Sequence, residues 1–407
     1  MKKFKAFDHD IYDRACKVIA HGALTNSKRP ESFVKGVYPT HLTRSQGCYS
    51  WDTQGNKYID FICGLGTNLL GAANEQIEQA VIRQAKRGFS HSLGTDLEIE
   101  VAEMIKARFP FVEKLRFLKT GSEACSAAVR IARTYTKKKW ILSDGYHGWH
   151  DAFVSLTPPA NGVVFNLQIG MLDDLNCHAE TFNTAGVIIE PDQFVKNSLI
   201  QLRKCLSDGQ VCLIYDEVIT GLRYLSGSYA QFTGVLPDLI CMGKALGGGL
   251  PLSLVGGRAD IMESDYFVSS TFAGETLSLA ACKEVLKLTE KEYLVSKLWE
   301  EGVRFQERFN SIWPDIQLKG YGTRGAWSFS GNNPTELKAL FFQECCKAGL
   351  LVGPSFFLCF PHLEILDQCL NLFNDVITRI KLGSVKLEGE MPVQPYAQKV
   401  RDQTTGR

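Results

Sequence analysis

The hydrophobic pattern of this chain changes period twice. Between residues 8 and 20 the apolar side chains Ile11, Cys16, Val18 and Ile19 recur at helical spacing. Cys48–Asp52 and Lys57–Asp60 then flank Gln54-Gly55-Asn56, and two short apolar runs around a Gly/Asn turn predict a β-hairpin. Helical spacing returns over 75–87 and over 96–107, where Leu97, Ile99, Val101, Met104 and Ile105 are the apolar positions of an amphipathic stretch.

From 115 to 256 short apolar runs alternate with helical stretches. Strands are predicted at 115–118, 140–142, 186–189, 211–215, 239–241 and 252–255, with helices at 123–136 and 199–206. That alternation predicts an α/β fold whose mostly parallel central sheet is covered by helices on both faces. Ligands of such sheets bind beyond the carboxyl ends of the strands. After a helical stretch over about 275–310 comes a smaller α+β pattern, with a strand at 325–330 and helices at 334–348 and 365–380. The expected organisation is an N-terminal segment 1–65 that joins the small domain, a large domain 66–295, a C-terminal small domain 296–387, and a loose polar tail 388–407.

Composition narrows the function. A chain of 407 residues is long enough for two or three domains. Its net charge of +1 gives no reason to expect a nucleic-acid or acidic-membrane partner. Thirteen cysteines without a Cys-x-x-Cys pair read as reduced thiols of a cytoplasmic protein. The basic start Met1–Lys5 is followed by Asp8, Asp10 and Asp13 where a signal peptide needs apolar residues. No run reaches the roughly 18 apolar residues of a membrane span.

Two strand ends carry the chemistry. Val211–Tyr215 leads to Asp216-Glu217, and Leu239–Cys241 leads to Gly243-Lys244-Ala245-Leu246-Gly247-Gly248-Gly249. An amine able to form a Schiff base, near a carboxylate able to hold a pyridinium nitrogen, is the equipment of a pyridoxal phosphate (PLP) enzyme. Alone, a lysine in a glycine-rich loop is more often a surface charge. A Walker loop is excluded, because Ala245 follows Lys244 and Asp238 stands where the leading glycine belongs. Glu217 would point to the opposite face and is assigned no chemistry. Gly121 and Ser122 open a helix whose free N–H groups suit a phosphate, although Ser122 and Thr120 also suit plain capping. Tyr146, after strand 140–142, offers a ring that could stack on a cofactor. His147 and His150 stand three apart with no third ligand in reach, so no metal is expected. Ser269–Gly274 is a hydroxyl-rich loop before a helix.

Taken together, these motifs resemble the class III PLP-dependent aminotransferases of fold type I. The resemblance runs from about residue 10 to about 382. It rests on Gly47–Asp60, Thr120–Ala124, Tyr146-His147-Gly148, Ile189-Glu190-Pro191, Tyr215–Val218, Gly221–Arg223, Pro237–Leu239, Gly243–Gly249 and Ser270–Phe272, in that order. It implies that Lys244 carries PLP as a Schiff base and that Asp216 pairs with the pyridine nitrogen. Val218 and Tyr146 would pack on the two ring faces, with His147 in the same motif beside the cofactor. Gly121 and Ser122 would bind the phosphate, and Thr271 would reach the phosphate of the neighbouring subunit. Glu190 would lie near the cofactor or substrate. The family implies a homodimer, an amine or amino acid donor, and an aldehyde or ketone acceptor.

Within the family, the short C-terminal domain and Thr95–Glu98 look most like glutamate-1-semialdehyde aminomutases. Four features depart from them. Leu65 replaces a tryptophan, and Pro30 stands at the carboxylate-binding arginine, with Arg29 one place off. The loop between about 151 and 166 is short, and Asp192-Gln193-Phe194 replaces small residues. The reading is therefore aminotransfer in two halves. Its alternatives are intramolecular aminomutation, racemisation or decarboxylation on the same fold, and a silent relative acting as an interaction protein. Lys28, Arg29, Arg223 and Arg324 are the candidates for holding a substrate carboxylate.

Overall fold

The computed structural model describes residues 5–150, 153, 164–166, 183–207, 210–225, 227–290 and 294–393. Among them are fourteen strands: β1 Leu42–Gln46, β2 Tyr49–Asp52, β3 Lys57–Asp60, β4 Lys114–Leu118, β5 Trp140–Asp144, β6 Val164–Asn166, β7 Thr184–Ile189, β8 Cys212–Glu217, β9 Leu239–Met242, β10 Ser253–Gly257, β11 Ile316–Tyr321, β12 Arg324–Phe329, β13 Leu350–Leu351 and β14 Ser355–Phe357. The chain divides into two compact units, one of residues 75–296 and one of residues 1–74 with 297–407.

Unit 75–296 holds the seven-stranded sheet, ordered β4-β10-β9-β8-β7-β5-β6. β9, β8, β7, β5 and β6 pair in parallel. β10 runs antiparallel to both β4 and β9. β4 therefore points the same way as the parallel set, and the mostly parallel sheet expected from the sequence is present. Every residue of β7, β8, β9 and β10 is buried. That is why these strands read as continuous apolar runs rather than alternating ones.

Helix Gly121–Thr136 packs on this sheet through Ala124, Ala127, Ala128, Ile131 and Ala132. Its small side chains allow close approach: a Cβ on Gly186 of β7 would lie 3.5 Å from Ala132 Cβ. The helical stretch expected over 275–310 is two helices, Thr276–Glu290 and Leu294–Asn310.

The other unit carries two small sheets, β1-β2-β3-β13 and β11-β12-β14. The predicted hairpin is β2 with β3, in register Tyr49↔Ile59 and Trp51↔Lys57. Asp52 ties its turn by accepting from Gln54 N at 2.9 Å and Asn56 N at 2.8 Å, while Gly55 takes a left-handed φ of 83°. The core of this unit is aromatic. Phe61, Phe305, Phe309, Trp327, Phe341, Phe356 and Phe373 stack or meet edge to face, as in Phe305–Phe356 at 5.7 Å and Phe309–Phe373 at 5.3 Å.

The described residues 387–393 are tied to the rest of this unit, and residues 394–407 lie outside the described residues. Gln343 Nε2 donates to Lys386 O, Glu390 N donates to Lys35 O at 2.8 Å, and Val393 N donates to Glu31 O at 2.7 Å. Its polar side chains hid this docking, because main-chain groups hold it. Most of the loop between 151 and 166, read as shortened, lies outside the described residues.

Candidate functional site

Because β4, β5, β7, β8 and β9 all point one way, their carboxyl ends share one edge of the sheet. That edge presents Gly121 after β4, Tyr146 and His147 after β5, Glu190 after β7, Asp216–Val218 on β8, and Lys244 after β9. The strand predicted to stop at Tyr215 continues through Glu217.

Asp216 is buried, and its carboxylate is surrounded by donors. His147 Nδ1 lies 2.9 Å from Oδ2, Cys125 Sγ lies 3.3 Å from the same oxygen, and Val218 N donates to Oδ1 at 3.0 Å. Burial pushes the carboxyl up, but His147, Val218 N and the Cys125 thiol outweigh it and hold it below its ordinary range. His147 is itself buried, and its Nε2 faces the Asp144 carbonyl at 2.8 Å. Each ring nitrogen thus faces an oxygen, which fixes the orientation of the ring. Cys125, His147 and Asp216 bring their ligand atoms within 4.8 Å of one another. Each is already engaged in these hydrogen bonds.

Register ties Lys244 to the same place. Asp216 pairs with Cys241 and Glu217 with Met242, so Lys244 follows two residues beyond the last paired position. It is half-buried, with a left-handed φ of 44° at the start of the turn Lys244–Gly247. A non-glycine residue in that region is uncommon, and such strain collects at functional sites.

Val218 is the hub between the segments. A Cβ on Gly121 would lie 2.7 Å from Val218 Cγ1, and one on Gly243 would lie 3.4 Å from the same methyl. The helix Gly121–Thr136 is closed by a capping box, with Thr120 accepting from Glu123 N and Glu123 accepting from Thr120 N. The cap leaves the Gly121 and Ser122 N–H groups without an acceptor among the described residues. The second loop reaches this helix start through Trp149 N, which donates to Ser122 Oγ at 3.3 Å. Glu190 accepts from Tyr146 N at 2.7 Å and packs against Gly145. Burial, then the charge of Asp216, raises the Tyr146 phenol, which places the ring in the field of that carboxylate. Thr271 stands exposed in the loop before helix Thr276–Glu290.

Sequence reasoning missed Cys125 and the His147–Asp216 pair. Ninety-one and 69 residues separate these partners, and no local spacing signals either contact. Glu217 faces away, fully buried, and accepts from Tyr229 N, Ala230 N and Thr220 Oγ1. It caps a helix start.

A family model described as Aminotransferase class-III matches residues 33–171 and 159–380. A glutamate-1-semialdehyde 2,1-aminomutase from Methanococcoides burtonii is 32% identical over 382 residues, covering 84% of this chain and 88% of its own. The enzyme of that name from Aquifex aeolicus is 31% identical, covering 91% and 99%. Among solved structures, the FumI protein of Sphingopyxis sp. MTA144 in a PLP form has a TM-score of 0.85 at 22% identity, covering 94% of this chain and 98% of that one.

Proposed function

The chain belongs to the class III aminotransferase family, and from that premise we propose that it shifts an amino group between neighbouring carbons of one small amino-oxo acid with PLP as cofactor. This is the 2,1-aminomutase reaction for which its relatives are named.

The residues present fit the cofactor. Asp216 is buried and ionised, and its Oδ1 takes a single donor, which leaves an acceptor position for a protonated ring nitrogen. The uncapped N–H groups of Gly121 and Ser122 suit a phosphate at a helix start. The missing side chain of Gly121 keeps that start against Val218. Lys244 supplies the amine that would hold the cofactor covalently. The single observation that carries the reading is the ionised Asp216, braced by His147, on the strand next to the one that delivers Lys244.

When bound, PLP supplies an electron-accepting ring. The protein's part follows from its own groups. Asp216 keeps the ring nitrogen protonated, and His147 keeps Asp216 in place and charged. Val218 and Tyr146 would flank the ring. Lys244 Nζ moves a proton at the substrate's reacting carbon once displaced. The same reading makes the working form a cytoplasmic homodimer in which Thr271 serves the neighbouring copy. No helix among the described residues is long and apolar enough to cross a membrane.

The test is a single-substrate assay. Glutamate-1-semialdehyde alone, given to purified protein loaded with PLP, should yield the isomeric amino ketone. A strict need for a separate amine donor would replace this reading with two-substrate aminotransfer. Leu65 and Pro30 favour that second reading, because the tryptophan and arginine of the aminomutases are missing there.

A further inference from the structure

A second cluster of reactive groups lies in the unit formed by residues 1–74 and 297–407. Cys63, Cys359 and His362 are buried, with Sγ, Sγ and Nδ1 within 4.8 Å of one another. Main-chain bonds zip the two segments that carry them. Phe357 N donates to Phe61 O at 2.9 Å and Phe360 N to Leu69 O at 2.8 Å. The His362 ring stacks on Phe61 with centroids 4.7 Å apart.

The cluster does not suit a metal ion. His362 Nδ1 already accepts from Cys359 N at 3.0 Å, and a metal would need the same lone pair. Only three ligand atoms gather among the described residues, one short of a closed tetrahedral zinc site.

It does suit thiol oxidation. Cys359 Sγ lies 3.1 Å from His362 Nδ1. Cys63 is a thiol whose S–H points at the Asp60 and Phe357 carbonyls, 3.2 and 3.5 Å away. Burial opposes ionisation of Cys359, but the neighbouring Cys63 thiol and the His362 ring pull it well below its ordinary value.

The surrounding loop gives the pair a consequence. Cys63, Gly64, Leu65 and Gly66 all have left-handed φ, at 49°, 61°, 61° and 89°. Two of the four are not glycine, so the loop stores strain that its surroundings must hold. Gly64 and Leu65 line a cavity of about 370 Å³ with Lys28, Tyr38, Asp60 and Asn68. Gly64, next to Cys63 in the chain, is exposed.

We propose that Cys63 and Cys359 form an oxidation site, which hydrogen peroxide converts to a disulfide that fixes the strained 62–66 loop at the cavity wall. The Cys359 thiol gives up its proton, and its sulfur attacks one peroxide oxygen. The O–O bond breaks, and the departing hydroxide recovers that proton as water. The sulfur is left as a sulfenic acid, oxidised by two electrons while the peroxide is reduced. The Cys63 sulfur then sheds its proton and attacks the Cys359 sulfur. The S–O bond breaks, an S–S bond forms, and hydroxide leaves with that proton as a second water.

The experiment treats the full-length protein with hydrogen peroxide, blocks remaining thiols, and maps peptides without reduction. The expected product is a Cys63–Cys359 link, lighter by two hydrogens and reversed by dithiothreitol. Cys63→Ala should stop at a Cys359 sulfenic acid that dimedone traps, and Cys359→Ser should give neither product. Absence of the link in the wild-type protein, under peroxide that oxidises other cysteines, overturns the proposal without recourse to any variant. So does an undiminished dimedone adduct on Cys63 in Cys359→Ser. The readout is peptide mass, so it stands or falls independently of the amino-transfer reading.

Discussion

The His147 ring stands between two oxygens, with Nδ1 2.9 Å from Asp216 Oδ2 and Nε2 2.8 Å from the Asp144 carbonyl. The Asp144 carbonyl fixes the ring's orientation against Asp216. His147 thus acts through Asp216 rather than on any ligand.

Replacing this brace should loosen the carboxylate. In His147→Phe, burial of Asp216 is no longer opposed by its main partner, so its carboxyl rises. Turnover at a pH below the shifted value should fall about tenfold for each unit the carboxyl rises, and the acid limb of its pH profile should move to higher pH. The bound cofactor's absorbance, titrated against pH, should show the same displacement. An unmoved acid limb would reduce His147 to a packing role.

Lys244→Ala should abolish covalent capture of PLP. Borohydride treatment of the wild-type protein, followed by peptide mapping, should place the cofactor's mass on Lys244 and nowhere else. Capture at a single site persisting in the variant would remove Lys244 from the reaction.

The fit of Gly121 against Val218 predicts a rescue. A methyl group at 121 would sit 2.7 Å from Val218 Cγ1, and such overpacking typically costs about 1–3 kcal/mol. Gly121→Ala should lower both thermal stability and PLP affinity. Adding Val218→Ala should restore much of the stability while leaving cofactor affinity below wild type. Simple additivity of the two losses would argue that the contact is not tight.

Asp238 offers a pH-dependent stability test away from the chemistry. It accepts from Arg203 at 2.5 and 3.0 Å, from Arg258 at 3.1 Å and from Leu213 N at 2.8 Å. Burial raises its carboxyl, but these partners outweigh burial and depress it. The folded value lies below the unfolded one, so the stabilisation is present above about pH 3.9 and is lost as pH falls through the folded value. Asp238→Asn should cost about 3 kcal/mol at neutral pH, measured by urea unfolding. Its deficit should shrink steadily below about pH 4.

Much of this architecture could be read along the chain. Strand ends that carry Asp216 and Lys244 announce themselves because apolar runs stop at charged residues. The hairpin around Gly55 was legible for the same local reason. What was hidden is held by contacts between distant segments. Cys125 looked like one more small helical residue, yet its thiol completes the shell of Asp216. Glu217 was assigned no chemistry, but nothing nearby announced that three donors hold it in the interior, where burial raises it to about 7. Nor did Cys63 and Cys359, nearly three hundred positions apart, suggest a pair.

The docked end of the described chain has a practical consequence. Gly389 lies so close to Lys35 O and Val34 that a Cβ there would sit 2.5 and 2.7 Å from them. Residues 387–393 are a wedge cut to fit. Trimming the protein back to Lys386 would uncover Val34 and strip the carbonyls of Glu31 and Lys35 of their donors, so a shortened version made for crystallisation should melt earlier than the intact chain.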